Sequence, residues 1–431
     1  MKMHKLKKYG ITRRDFLRLS GAAGATALLA ACGVRSGRTV KIGLVAPLTG
    51  PLAAFSEADD FILGQIREIF TNGIDIGGTT FPIEILAKDS ESDSGRAAQV
   101  AQDLILNDEV DMILVHSTPD IDNPVSAQCE ANGVPCISTD APWQPWYFRD
   151  DLPSPEAGYN WSYHFFWGLE DIIGVFQDIW GTVSTNKVVG ALWPNDADGL
   201  AWSDRELGFP PALEAGGFTV VDPGRYENLK DDFSAEISLF KEQGVEIVTG
   251  VMIPPDLGTF LTQASQQGFN PKFFTVGKAA LFPTTVETLP AGLGEGLTTE
   301  VWWTPTHPFQ SSLTGQTAAE LSKAYTDDTG KQWTQPIGFV HALFELVADV
   351  LARASDVDSP ESIRDAIKST NLDTIVGNIN WRNGPVPNVS KSPLLGGQWQ
   401  KGSQYPFEMV VATNTTGLDI PITGTINAKS W

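Results

Sequence analysis

The 431-residue chain sets 30 Lys and Arg against 52 Asp and Glu, a formal charge of −22, with 42% apolar and 19% charged residues. That length and composition describe a folded protein of about two to three domain-sized units and exclude wholesale disorder. The acidic balance excludes a general nucleic-acid binder and broad contact with an anionic membrane surface. Three Cys and five His are too few for a disulfide scaffold or a multi-metal centre, whereas 13 Trp is a high count for the length.

The charge is unevenly placed. Residues 1–31 hold Lys2, Lys5, Lys7, Lys8, Arg13, Arg14 and Arg18 against Asp15 alone, which leaves 23 basic and 51 acidic residues, or −28, on the remainder. A basic start followed by the small apolar run 19–31 reads as a secretory signal, too short to span a membrane. Thr12-Arg13-Arg14-Asp15-Phe16-Leu17-Arg18 resembles the twin-arginine export motif, and Leu29-Ala30-Ala31-Cys32 resembles a lipobox, which implies lipidation of Cys32 as the mature N-terminus. Residues 1–31 are therefore expected to be a signal peptide and 32–39 a flexible tether. Cys129 and Cys136 remain, and an exported chain permits either a bridge between them or two buried free thiols.

From Val40 the sequence alternates apolar runs with amphipathic stretches. Strands are predicted at 40–47, 81–88, 112–115 and 134–138, with helices around 61–70, 95–107 and 123–131 between them. The rhythm resumes with helices at 172–180, 203–215, 233–243 and 257–267, and strands at 187–193, 218–221, 247–251, 273–276 and 297–303. Strong helices follow at 335–353 and 359–368, the second opened by Ser359-Pro360-Glu361. Two successive series of βα units define an α/β protein with two doubly wound lobes.

Catalytic signatures are absent from the sequence: there is no GxxxxGK[ST], GxSxG, HExxH or CxxC, and Gly292-Leu293-Gly294-Glu295-Gly296 precedes a strand and reads as a turn. His116 stands at a strand end beside Ser117 and Asp120, yet residues adjacent in sequence seldom form a catalytic constellation. No enzyme activity, cofactor or metal is expected. Ligands of open α/β sheets bind beyond the carboxyl ends of the strands. Those positions hold Ser117 and Thr118, Ser138 to Ala141, Trp193 to Asp198, Ile253-Pro254 and Gly277-Lys278.

Lys41-Ile42-Gly43-Leu44-Val45-Ala46-Pro47-Leu48-Thr49-Gly50-Pro51 resembles the opening of type I periplasmic solute-binding proteins of the branched-chain amino acid class. Asp231-Asp232-Phe233-Ser234 with Val245 to Val248, the helix 336–351 and Val376 to Trp381 are similar to later segments of that family, so the resemblance spans about 40–411. It implies two lobes joined by three hinge crossings, placed near 167, 300 and 378. Lobe 1 is then 40–166 plus 302–378, and lobe 2 is 167–301 plus 379–431. It further implies a monomer that clamps a small solute and hands it to an ABC permease, held at the outer face of the cell membrane or in the periplasm by its lipid.

Carried over by position, the resemblance places the first-loop aromatic at Phe55, the loop serine at Ser117 and the next loop at Ser138, Thr139, Asp140 and Ala141. In lobe 2 it reaches Asp198 and Ile253 or Pro254, and the acid that would hold an amino acid's ammonium is replaced by Lys278. A cation there favours a carboxylate or a hydroxyl-rich solute over an α-amino acid. Trp143, Trp146, Trp193, Trp202, Trp302 and Trp303 fall where a cleft would lie, with Asn195, Asp196 and Asp198 nearby. Aromatic faces beside carboxylates suit a sugar or cyclic polyol; with Lys278 they suit an aromatic carboxylate, and with Lys278 turned away a cation. An exported enzyme and a sensory ligand-binding module are the competing readings.

Overall fold

A computed structural model describes residues 34, 35 and 37–431; the signal segment and Cys32 lie outside them. The β-branched run Val40–Ala46 forms the first strand, β1, whose apolar side chains are buried. It is flanked on both edges by parallel partners, Ile83–Asp89 (β2) and Met112–His116 (β3), which is why its sequence is apolar rather than alternating. Cys136–Thr139 (β4) and Ser162–Phe165 (β5) extend the sheet in parallel. Gly43 lets the helix Ser94–Leu106 lie close: a Cβ there would stand 2.9 Å from a Leu104 methyl.

A second sheet follows from Val188–Leu192 (β6), Thr219–Val221 (β7), Ile247–Gly250 (β8), Phe273–Val276 (β9) and Thr298–Val301 (β10), all parallel. In both sheets the second strand lies outside the first and the third on its other side, so each has a topological switch point, between β1 and β3 and between β6 and β8. The chain ends in Val389–Ser390 (β11), Leu395–Lys401 (β12) and Phe407–Thr413 (β13). The last two pair antiparallel along the far edge of the second sheet.

The fold is the expected α/β architecture, with some boundaries moved. β11 pairs with β5 in the first sheet, so the chain returns to the second sheet only between residues 391 and 394 instead of near 378. A two-residue strand supplies no periodicity from which to read that. The stretch 203–215 is not one helix: Ala197–Trp202 and Phe209–Ala215 are separate, the second restarting at Pro210, which tolerates only a first-turn position. Part of the expected tether is held, with Val34–Arg35 paired to Thr79–Thr80 and the Arg38 guanidinium 2.8 Å from Asp358.

Cys129 and Cys136 sit in the last turn of the helix Pro119–Asn132 and at the start of β4, and both are buried free thiols, with no bridge between them. Cys136 Sγ lies 4.0 Å from Ser126 Oγ, so packing of the helix on the strand, not a covalent bond, joins these elements. Among the described residues no helix is long and apolar enough to cross a membrane.

Candidate functional site

The carboxyl ends of the two sheets face one another. Thr118 caps the helix Pro119–Asn132 in extended conformation, but its hydroxyl makes no capping bond. Asp140 follows β4 with φ of 76°, in the left-handed region that a non-glycine residue occupies at a cost of about 1–3 kcal/mol. From the second sheet Asp198 stands in the first turn of Ala197–Trp202, and Lys278 follows β9 with φ of 61°. Lys278 is the centre of a γ-turn closed by the Ala279 N–H donating to the Gly277 carbonyl at 2.7 Å.

These residues line a small cavity of about 20 Å³ between the sheets. Its aromatic wall is Phe55, Trp167, Trp202 and Trp302; Pro142, Val251, Leu281 and Glu300 complete it. Gly277 is required for the close approach, since a Cβ there would stand 2.8 Å from the Trp202 ring and 3.1 Å from Glu300 Oε1. The two halves touch around the cavity. Phe55 meets Phe282 edge-on at 4.9 Å, the Thr284 hydroxyl donates to Glu57 at 3.0 Å, and the Ala197 N–H donates to Asp120 at 3.4 Å.

Charge is concentrated here. His116 Nε2 lies 3.0 Å from Asp59 and its Nδ1 3.4 Å from Asp140, all three buried. Burial opposes the imidazolium, but Asp59 and then Asp140 outweigh it, and the ring's pKa is pushed up to about 10. The Lys278 ammonium is 2.8 Å from Asp198 and 3.1 Å from Asp196; although burial opposes its charge, these acids together with Asp120 hold it protonated. Burial lifts Asp198 to about 6 against the pull of Lys278, and lifts Glu300 to about 7 against hydrogen bonds from Thr299 and backbone. Asp140 and Asp120 are also raised, chiefly by burial.

Buried polar atoms lack partners at this cavity. Neither Asp140 oxygen completes a hydrogen bond among the described residues, and the same holds for the Thr118 hydroxyl and the indole N–H groups of Trp167, Trp202 and Trp302. Each such group left unsatisfied costs about 1–3 kcal/mol. An empty wall carrying this many acceptors and donors matches a polar guest.

Of the expected positions, Phe55, Thr118, Asp140, Asp198, Trp202, Lys278 and Trp302 line the cavity. Asp196 lies behind Lys278, where it caps the helix Ala197–Trp202 through the Gly199 N–H. Ser117 is buried beside Thr118 but does not line the cavity, and neither do Ser138 and Thr139 in β4 or Ala141 and Trp143 after it. Ser138 bonds His164 at 2.8 Å, Thr139 donates to the Phe165 carbonyl, and the Ala141 carbonyl contacts His164 Nε2. Trp143 donates to Glu170 at 3.2 Å.

Trp146 stacks on His164, Trp193 lies under the Arg225 guanidinium, and Trp303 donates to the Ile375 carbonyl, so these three are packing residues. Pro254 lines a separate, wider groove with Gly50, Ala54 and Thr284. Sequence reading missed Trp167 and Glu300. A lone acid inside the predicted strand 297–303 was the available signal, because a buried carboxylate is rare without a partner.

Two α/β sheets presenting their switch points to one small shared cavity define a two-lobed solute-binding protein. The model of the family described as periplasmic binding protein matches residues 39–400, and that of the twin-arginine translocation signal matches residues 10–30. The chain belongs to the periplasmic binding protein family, and it carries a twin-arginine export signal.

A leucine-, isoleucine-, valine-, threonine- and alanine-binding protein of Pseudomonas aeruginosa is 23% identical over 350 residues, 80% of this chain and 86% of the relative. Among solved structures, a leucine-binding protein of Thermotoga maritima superposes with a TM-score of 0.69 at 19% identity, covering 88% of this chain and all of that one. An ABC-transporter solute-binding protein of Rhodopseudomonas palustris, crystallised with 3,4-dihydroxybenzoic acid, gives 0.66 at 18% identity, covering 88% and 99%.

Proposed function

We propose that this chain is the lipid-anchored receptor of an ABC importer, closing its lobes on a hydroxyl-bearing ring solute and presenting it to a membrane permease. One observation carries the solute class. Three indole N–H donors without partners, a threonine hydroxyl and the carboxylates of Asp140, Asp198 and Glu300 line the same aromatic-walled cavity. Hydroxyl groups both donate and accept, so a polyol satisfies such a mixed set, while its ring faces pack on tryptophan.

An aromatic carboxylate, expected from the sequence as an equal candidate, is less well served. Its presumed partner Lys278 is already spanned by Asp196 and Asp198. Closure needs no chemistry of bond making: it is the exchange of an open for a closed population by a guest that contacts both lobes.

The test is a thermal-shift screen of the mature chain over sugars, cyclic polyols, aromatic acids and aliphatic amino acids, followed by calorimetry on the best compound. The expected outcome is the largest shift from a hydroxylated ring, abolished by Trp202→Ala. A largest shift from leucine or isoleucine would reject the polyol reading.

A further inference from the structure

Acidic side chains outnumber basic ones around the cavity. Asp59, Asp120, Asp122, Asp140, Asp196, Asp198 and Glu300 are all at or close behind its wall, against His116 and Lys278 as the cations. His116 is taken up by Asp59 and Asp140, and Lys278 by Asp196 and Asp198. Glu300, fully buried on the cavity wall, receives the Thr299 hydroxyl at 2.8 Å, and no cationic side chain among the described residues pairs with it. Asp140 and Glu300 thus reach the cavity from opposite sheets, Asp140 beside His116 and Glu300 with no cationic partner.

We infer that the solute carries a positive charge and no carboxylate, making it a hydroxylated organic cation of the amino-sugar or amino-alcohol class. This inference rests on the solute-clamp reading above and narrows it. A bound ammonium between Asp140 and Glu300 supplies the missing counter-charge, and its hydroxyls meet the Thr118 hydroxyl and the indole N–H groups. The ring faces of Trp167, Trp202 and Trp302 favour a cation as well as a sugar ring.

A solute carboxylate would enter beside Asp140, where like charges repel strongly at reduced dielectric. This excludes the zwitterionic amino acids for a reason that does not depend on Lys278. By sequence Lys278 stands as a free cation; in the fold its ion pairs with Asp196 and Asp198 occupy it. The surplus of acid over base on the whole mature chain adds long-range attraction of the same sign.

The deciding experiment compares charge classes on matched skeletons by calorimetry with the mature chain: glucosamine, glucose and glucuronate; ethanolamine, ethylene glycol and glycolate; and leucine. The cationic member of a series is expected to bind at least about tenfold more tightly than its neutral sibling, and the anionic member not to bind. The double variant Asp140→Asn/Glu300→Gln should lower the ratio of cation to neutral-sibling affinity roughly ten- to hundredfold, whatever it does to the neutral sibling itself. Its circular dichroism and its binding of the neutral sibling report that it still folds. Equal or tighter binding of neutral members overturns the cation inference and leaves the clamp standing. Tightest binding of leucine overturns both the charge and the polyol readings, and a panel with no binder of any class overturns the clamp itself.

Discussion

Asp140 and Lys278 approach one cavity from opposite sheets, and each holds its backbone at positive φ, 76° and 61°. Neither is glycine, so both positions carry backbone strain that their surroundings must sustain. Around Lys278 that support is electrostatic: Asp196 and Asp198 fix the ammonium, and it in turn makes two buried carboxylates tolerable. Removing the cation leaves both acids unpaired. Lys278→Met is therefore expected to destabilise the chain by about 3–5 kcal/mol, read as a lowered urea midpoint at unchanged slope. An unaltered midpoint would show that this triad is not a structural unit.

Stability should fall as pH rises from about 5 to 8 in the unliganded chain. Glu300 and Glu345 are raised to about 7 and Asp198 and Asp256 to about 6, in each case chiefly by burial. An acid with a raised pKa contributes stability fully below its unfolded value and loses it as pH climbs through the folded one. His116, raised from 6.5 to about 10, begins to lose its contribution above about pH 6.5 and so adds to the fall in the upper part of this range. Melting temperature against pH checks this, and Glu300→Gln should flatten the slope.

Gly277→Ala should weaken solute binding more than it weakens the fold. The added methyl meets the Trp202 ring and Glu300 Oε1, two cavity walls from one lobe, and small-to-large changes in tight sites cost about 1–3 kcal/mol. Calorimetry beside a chemical melt separates the two effects. Equal losses in both would place the strain in the core instead.

Two thiols should react with Ellman's reagent when a chain beginning at Gly33 is unfolded without reductant, and none before unfolding. Cys129 and Cys136 are both free and fully buried. The anchor is checked separately: Cys32→Ala should move the exported protein from the membrane to the soluble fraction, because a lipid on that sulfur would be its sole tether.

The parts of this molecule legible in its sequence are those set by local pattern. Strand-end residues such as Thr118, Asp140, Asp198 and Lys278 could be placed at the cavity because a parallel sheet always delivers its loops to one edge. The partners of those residues were not legible. Lys278 reads as a lone cation until Asp196 and Asp198, some 80 positions earlier, fold beneath it. Which Trp residues face the cavity was not legible either: Trp202 and Trp302 do, whereas Trp146 stacks on His164 and Trp303 donates to the Ile375 carbonyl. β11 escaped because two residues carry no period.

That late strand has a consequence for the order of events in the cell. β11 completes the edge of the first sheet by pairing Val389 with His164, yet it is among the last tenth or so of the chain to leave the ribosome. The amino-terminal lobe cannot finish folding while it is being translated; it must wait for nearly the whole polypeptide. Pairings so distant in sequence also form slowly. An export route that accepts threaded, unfolded chains would have to intercept this one early, whereas the twin-arginine signal at residues 10–30 directs it to a route suited to cargo already folded in the cytoplasm.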